Sequence, residues 1–382
     1  MVDYEKPKER PAIGVFYGFD HVTFHVGNAK QAASYYCSRL GFEYEAYQGL
    51  ETGNRDFASH VVKNGTITFV FKTPLNAEGH DEWYKEYQIH GDGVKDVAFT
   101  VDDAAGIYKK AVERGATSVK EPYEIKDEEG TVLMATVKTY GDTTHTFVQR
   151  NEYKGKFLPG FKDHFLREPF NKVMPQPELQ FIDHCVGNQP DGEMEPVASW
   201  YEQMLDFHRF WSIDDKMLHT EYSALRSVVV CDFDENVKMP INEPAAGKRK
   251  SQIQEYVDYY GGAGVQHIAL RTDSIIDTVS RMQDRGCQFL TIPPSYYDNL
   301  GKRLGDMGTQ VAEDLEMIRK LNILVDFDEK GYLLQIFTKP VEDRPTLFIE
   351  IIQRRNHNGF GAGNFKALFE SIEQEQAKRG NL

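Results

Sequence analysis

The 382-residue sequence predicts an α+β protein of four βαβββ modules, two in each half, followed by a helix at the C-terminus. Two observations predict it. The chain repeats itself, and within each half the hydrophobic period runs from strand to helix and back to several short strands, twice over.

The repeat sets the architecture. Phe19-Asp20-His21-Val22 followed by Val26-Gly27-Asn28 recurs as Ile182-Asp183-His184-Cys185 followed by Val186-Gly187-Asn188. Ala33-Ser34-Tyr35-Tyr36 with Leu40-Gly41-Phe42 recurs as Ala198-Ser199-Trp200-Tyr201 with Leu205-Asp206-Phe207, an offset of 165 from Phe42 to Phe207. Gly93-Val94-Lys95-Asp96-Val97-Ala98-Phe99 pairs with Gly264-Val265-Gln266-His267-Ile268-Ala269-Leu270, an offset of 171 from Asp96 to His267 that Arg114-Gly115 and Arg285-Gly286 keep. Thr146-Phe147-Val148-Gln149-Arg150 aligns with Glu350-Ile351-Ile352-Gln353-Arg354.

The elements follow in chain order. A strand over 19–26 precedes a helix over 30–40, and a strand over 94–101 precedes a helix over 103–115, whose apolar Ile107, Ala111 and Val112 fall at helical spacing. Asn64-Gly65-Thr66 matches a glycosylation sequon, but between two apolar runs it reads as a type I′ hairpin turn. The stretch 154–178, with Pro159, Pro169, Pro175 and Pro177, breaks the period and separates the halves. The expected division is therefore 1–155, a linker over 156–178, and 179–382. A terminal helix over 365–378 carries Phe365, Leu368, Phe369 and Ile372 on one face.

Composition narrows the function. A net charge of −15 disfavours nucleic acid, since phosphate binding needs concentrated Lys and Arg, and Lys248-Arg249-Lys250 stands alone as a solvated turn. Cys37, Cys185, Cys231 and Cys287 are scattered, as reduced packing residues of a cytoplasmic protein are. The first residues are charged rather than signal-like, and no uncharged apolar run reaches the roughly 18 residues of a spanning helix.

Chemistry is expected where duplicated halves differ. The matched positions hold His184, His267 and Glu350 in the second half but His21, Asp96 and Thr146 in the first. Each of the three lies on the apolar face of a strand, and a carboxylate within Phe-Ile-Glu-Ile-Ile is costly to bury unless paired or bound to metal. Two His and one carboxylate suit non-haem iron(II), although zinc accepts similar ligands.

At these residues the chain resembles the 4-hydroxyphenylpyruvate dioxygenase family of the vicinal-oxygen-chelate superfamily, over essentially its whole length. The resemblance is carried by 181–188, Ser251-Gln252-Ile253-Gln254-Glu255-Tyr256, 262–270, 331–337, Phe348-Ile349-Glu350 and Gly359-Phe360-Gly361-Ala362-Gly363-Asn364-Phe365. It implies two half-barrel domains of the glyoxalase and bleomycin-resistance type, the first structural. It implies one Fe(II) per chain on His184, His267 and Glu350, and a substrate pocket of Ser227, Asn242, Gln252, Gln266, Gln335, Phe337, Phe348, Asn364 and Phe365. The implied partners are 4-hydroxyphenylpyruvate and O2, giving homogentisate and CO2 in tyrosine catabolism, in a homodimer, with the terminal helix gating the site. Hydroxymandelate synthase, which uses the same substrate and triad, is the rival. A metal isomerase of the glyoxalase kind and a non-catalytic binding member of the fold are more distant readings.

Overall fold

The computed structural model describes residues 2–213 and 224–381. Strand β1 (Val2–Asp3) precedes the first module, β2 (Phe16–His25), α1 (Ala29–Leu40), β3 (Glu43–Gln48), β4 (Phe57–Asn64) and β5 (Ile67–Pro74). Helix α2 (Asp81–His90) leads to the second: β6 (Gly93–Val101), α3 (Ala104–Glu113), β7 (Ser118–Asp127), β8 (Gly130–Lys138) and β9 (Thr144–Gln149). After β10 (Lys162–Asp163), the third comprises β11 (Ile182–Asn188), α4 (Met194–Leu205), β12 (His208–Ile213), β13 (Ala224–Cys231) and β14 (Lys238–Ala245). Helix α5 (Gln252–Tyr260) joins it to the fourth, β15 (Gly264–Arg271), α6 (Ile275–Asp284), β16 (Leu324–Phe327), β17 (Tyr332–Phe337) and β18 (Phe348–Arg355). Helices α7 (Pro294–Met307) and α8 (Leu315–Lys320) are inserted before β16, and α9 (Phe365–Arg379) ends the chain.

The four expected βαβββ modules are present, and each half supplies eight strands of a nine-stranded sheet. The orders correspond strand for strand: β3-β4-β5-β2-β6-β9-β8-β7 and β12-β13-β14-β11-β15-β18-β17-β16. Within a module the first and last strands pair in parallel, and two modules join through antiparallel first strands. The edges are extended by short strands, β10 on β3 and β1 on β12, so the chain's start pairs with the second sheet. Among the described residues no helix is long and apolar enough to cross a membrane.

The hairpin at Asn64 differs from the type I′ expectation. Positive φ falls on Gly65 alone (59°), the sign pattern of a type II′ turn. Thr66 then gives its backbone N–H and its hydroxyl to the Gln180 carbonyl, docking the turn against the entry to the second half.

One buried apolar cluster runs through both sheets, including Phe24, Phe69 and Phe99 from the first half and Cys185, Val265 and Ile268 from the second. All seven residues of β11 are buried, because one face meets this core and the other faces inward over its own sheet. The repeated Arg-Gly pairs gain a purpose here. Arg114 donates to the carbonyls of Gln203 and Met204 at the end of α4, and Arg285 to those of Cys37 and Ser38 at the end of α1. Each half thus covers the unpaired carbonyls and negative dipole end of a helix in the other. Arg285, only 3% exposed, also donates to Met174 and Pro175 in the linker. Arg285→Ala is expected to destabilise the protein by about 2–4 kcal/mol, and the more exposed Arg114→Ala by less than about 1 kcal/mol, by urea unfolding.

The linker is also tied down by a neutral histidine pair. His164 Nδ1 accepts the Leu166 N–H, so its Nε2 carries the proton donated to His60 Nδ1 at 2.8 Å. Burial, with nearby Lys30, lowers His60 to about 4, and burial, with His60 and Arg167, lowers His164 to about 3. Both folded values lie below the ordinary 6.5, so this contribution is complete above that pH and is lost as the unfolded chain takes up protons on acidification toward 4. The urea midpoint should fall between pH 7 and pH 5, and His164→Gln should shrink that fall.

Candidate metal centre

The centre is built on the three middle strands of the second sheet. On β11 and β15 His184 lies opposite Ala269, and on β15 and β18 the same Ala269 lies opposite Glu350. His267 is two residues before Ala269 and shares its face. The small alanine between them leaves room for the three larger side chains to converge.

Their tips meet at one point. Glu350 Oε2 is 3.2 Å from both His184 Nε2 and His267 Nε2. Among the described residues these three form the only grouping of His, Cys, Asp or Glu placed to share a cation. His184 and Glu350 are buried and His267 is nearly so.

The other polar atom of each ligand is already engaged. His184 Nδ1 lies 2.7 Å from Asp183 Oδ1, His267 Nδ1 lies 2.9 Å from Gln266 Oε1, and Gln335 Nε2 donates to Glu350 Oε1 at 2.9 Å. Neighbours on a strand ordinarily point to opposite faces, but β11 shifts register between Ile182 and His184, which lets Asp183 reach the imidazole beside it. Asp183 is held in turn by two hydrogen bonds from Arg354, at 2.9 and 2.7 Å. With those atoms occupied, both Nε2 atoms and Oε2 present lone pairs to the same space, a donor set that fits a divalent cation.

The electrostatics without a cation carry the same imprint. Burial would lower the His184 pKa, but Glu350 and Asp183 outweigh it and the net shift is upward. For His267 burial prevails over Glu350 and the pKa falls. Burial raises Glu350, yet the two imidazoles bring it down to about 2. Burial of Asp183 is likewise overcome by Arg354, which holds it far below the usual carboxylate range.

A cavity of about 550 Å³, part of it open to solvent, lies over these ligands. Ser227, Asn242, Gln252, Gln266, Gln335, Phe337, Phe348 and Phe365 all line it. Phe348 stacks on His267 at 4.8 Å between ring centres, and Phe337 meets Phe348 edge-on at 6.0 Å. Asn364 is the exception. It is buried behind the wall, where its Nδ2 donates to Gln335 Oε1.

Sequence reasoning missed Trp211 and Phe360 in the wall, and Asp183 and Arg354 behind it. A signal existed for the last two, since Asp20 and Arg150 hold matching places in the repeat and make the same paired hydrogen bonds.

Comparisons with known proteins agree with this geometry. Residues 10–159 match the model of the hydroxyphenylpyruvate dioxygenase N-terminal region, and 181–336 that of the glyoxalase/bleomycin resistance protein/dioxygenase superfamily. A 4-hydroxyphenylpyruvate dioxygenase of Tetrahymena thermophila is 60% identical over 99% of this chain and 95% of its own length. The chain belongs to the 4-hydroxyphenylpyruvate dioxygenase family. A member from Xenopus tropicalis is 57% identical over 100% of this chain and 97% of its own. Among solved structures, a triple mutant of 4-hydroxymandelate synthase from Streptomyces coelicolor superposes with a TM-score of 0.81 at 30% identity, covering 94% of this chain and 99% of that one. The family's two half-barrel domains and terminal helix are those seen here.

If the donors serve a cation, Fe(II) or Co(II) should raise the unfolding temperature, and Glu350→Ala should abolish the rise. Asp183→Asn, which leaves the ligands but uncouples their support, is expected to weaken cation affinity about 10- to 100-fold by competition with a chelator. An unchanged affinity would show that Asp183 only packs.

Proposed function

We propose that this chain converts 4-hydroxyphenylpyruvate and O2 to homogentisate and CO2 in tyrosine breakdown, with one Fe(II) held by His184, His267 and Glu350. The observation that carries the proposal is the convergence of both Nε2 atoms and Glu350 Oε2 on one point, at the floor of an aromatic and amide-lined cavity. Bound there, iron would supply the redox chemistry that joins oxygen activation to decarboxylation of the 2-oxo acid.

The chain's own residues do the rest. Among the described residues the cavity wall contains no Lys or Arg, and a metal dication held by the triad would supply a positive charge for the substrate carboxylate. Phe337 and Phe348 offer an edge and a face to a phenyl ring. Ser227 and Asn242, opposite each other on β13 and β14, and Gln252 at the start of α5 supply neutral groups for the phenol or keto oxygen. Gln335, in the cavity wall, holds Glu350 through Nε2 and Asn364 through Oε1 and so supports the carboxylate ligand. Phe365, Leu368 and Phe369 of α9 cover part of the cavity and shield that part from water.

In this reading residues 179–382 are catalytic, residues 1–155 are structural, and the linker over 156–178 fixes one to the other. A cytoplasmic homodimer completes it, to be checked by sedimentation.

Protein reconstituted with Fe(II) and given 4-hydroxyphenylpyruvate should consume oxygen and release homogentisate, with Glu350→Ala reduced to background. Hydroxymandelate as product would move the chain to the synthase reading. Absence of both uptake and iron binding would overturn the dioxygenase reading.

A further inference from the structure

From Glu350 a line of hydrogen bonds runs back through Gln335 and Asn364 to Tyr296. Gln335 presents its Nε2 to Glu350 Oε1 at 2.9 Å and therefore its Oε1 to Asn364. Asn364 then spends its Nδ2 on Gln335, leaving Oδ1 to accept. The donor it finds is the hydroxyl of Tyr296 on α7, at 2.7 Å, nearer than the Val325 carbonyl, the other acceptor in reach of that hydroxyl at 2.9 Å. The Tyr296 oxygen itself accepts the Val325 N–H at 2.8 Å. Tyr296 is absent from the cavity wall, touches none of the three ligands through these bonds, and lies on the inserted helix that has no counterpart in the first half.

We propose that Tyr296 is a positioning residue for the metal carboxylate. By giving its one hydroxyl proton to Asn364 it fixes the orientation of two amides in series, so that Glu350 Oε1 is always occupied and Oε2 alone is offered to the cation. Without that hydroxyl, Asn364 Oδ1 is a buried acceptor with its donor removed, and the amide gains reason to turn. A turned Asn364 sets oxygen against oxygen at Gln335. A turned Gln335 sets its carbonyl against the carboxylate. Either disturbs Glu350 without touching it. Close packing enforces the same arrangement, since a Cβ on Gly361 would fall 1.7 Å from Gln335 Oε1. Asn364 also opens α9, so the same hydroxyl steadies the first turn of the cavity's cover.

The proposal rests on reading His184, His267 and Glu350 as metal ligands, and Co(II) alone can separate the two questions. Co(II) affinity and the visible spectrum of the bound ion are to be measured for the unaltered protein, Glu350→Ala, Tyr296→Phe, Asn364→Ala and the Tyr296→Phe/Asn364→Ala double variant, with the metal-free unfolding midpoint as folding control. Tyr296→Phe should bind Co(II) about three- to tenfold more weakly, with an altered spectrum, a smaller loss than removal of a direct support of a ligand. In the Asn364→Ala background the same change should add nothing, because the relay is already cut. Tyr296→Phe with unaltered affinity and spectrum, or an equal loss with and without Asn364, would overturn the relay. Failure of the unaltered protein to bind Co(II) would instead bring down the metal-centre reading, and the relay with it.

Discussion

Three lone pairs aimed at one point in a buried site repel one another, and an imidazole or carboxylate that is free to rotate will turn away. The fold therefore has to remove that freedom before any cation arrives. It does so by occupying the far atom of each ligand: Asp183 for His184, Gln266 for His267 and Gln335 for Glu350. The sheet register supplies the rest, because pairing both neighbours against Ala269 sets the spacing of two ligands from the backbone outward. Much of the second half can be understood as the means of holding this arrangement, from the Arg354 bridge to the amides behind Gln335.

The first half carries the same support without the same three donors. Asp20 still holds His21 at 2.6 Å and is still bridged by Arg150, with Phe157 edge-on to the imidazole as Phe360 is to His184. The same ion pair is present in both halves, while the positions matching His267 and Glu350 hold Asp96 and Thr146, and Thr146 donates to Asp96. Energetics explain the asymmetry. Losing one member of a buried Asp–Arg pair leaves an uncompensated charge costing about 3–5 kcal/mol, so the pair resists piecemeal change. A ligand facing an open cavity has no such protection. The cavity itself is filled, since Phe157 and Leu158 pack onto the inner face of the first sheet. Lys72, at the register position that Asn242 holds in the second sheet, brings a cationic group into the field of Asp96.

How much of this was legible in the sequence depended on the range of the interaction. The modules, the inward-facing strands and the three ligand positions follow from local period and from comparing one half with the other, and the structure places those three side chains together. Asp183 and Arg354 were equally available, inside the repeated blocks, but sharing them with the first half made them look like scaffold. Asn364 was expected in the pocket and stands behind it, because a family motif gives position along the chain and not the direction of a side chain. The turn at Gly65 took the II′ sign pattern, since Asn64 pairs with Ile67 and the two central loop residues are Gly65 and Thr66 rather than Asn64 and Gly65. Helices α7 and α8 have no counterpart in the first half, so the repeat could not announce them. The reach of Arg285 into the other half lies between residues far apart in sequence, where no periodic signal operates.

The glycine-rich stretch before α9 links the cover of the cavity to its floor. Gly361, at a φ of 76°, lies where a Cβ would overlap Gln335, and Gly363 where one would fall 2.3 Å from Asp326 Oδ1. The backbone can lie this close to β16 and β17 only without side chains. That approach brings Asn364 within reach of Gln335, and the next residue, Phe365, into the cavity wall. The start of α9 is therefore one hydrogen-bonded amide away from the carboxylate ligand, while its later apolar residues close over the cavity. Were α9 to move to admit substrate, two courses would be open to it. If it pivots about Asn364, the amides behind Glu350 stay in place while the cavity opens. If it carries Asn364 along, Gln335 is released together with the cover. The bonds to Gln335 and Tyr296 hold the end of the helix nearest the ligand, and Arg379 in its last turn donates to Glu255 of α5 and holds the other end, so neither end is free of the body of the second half.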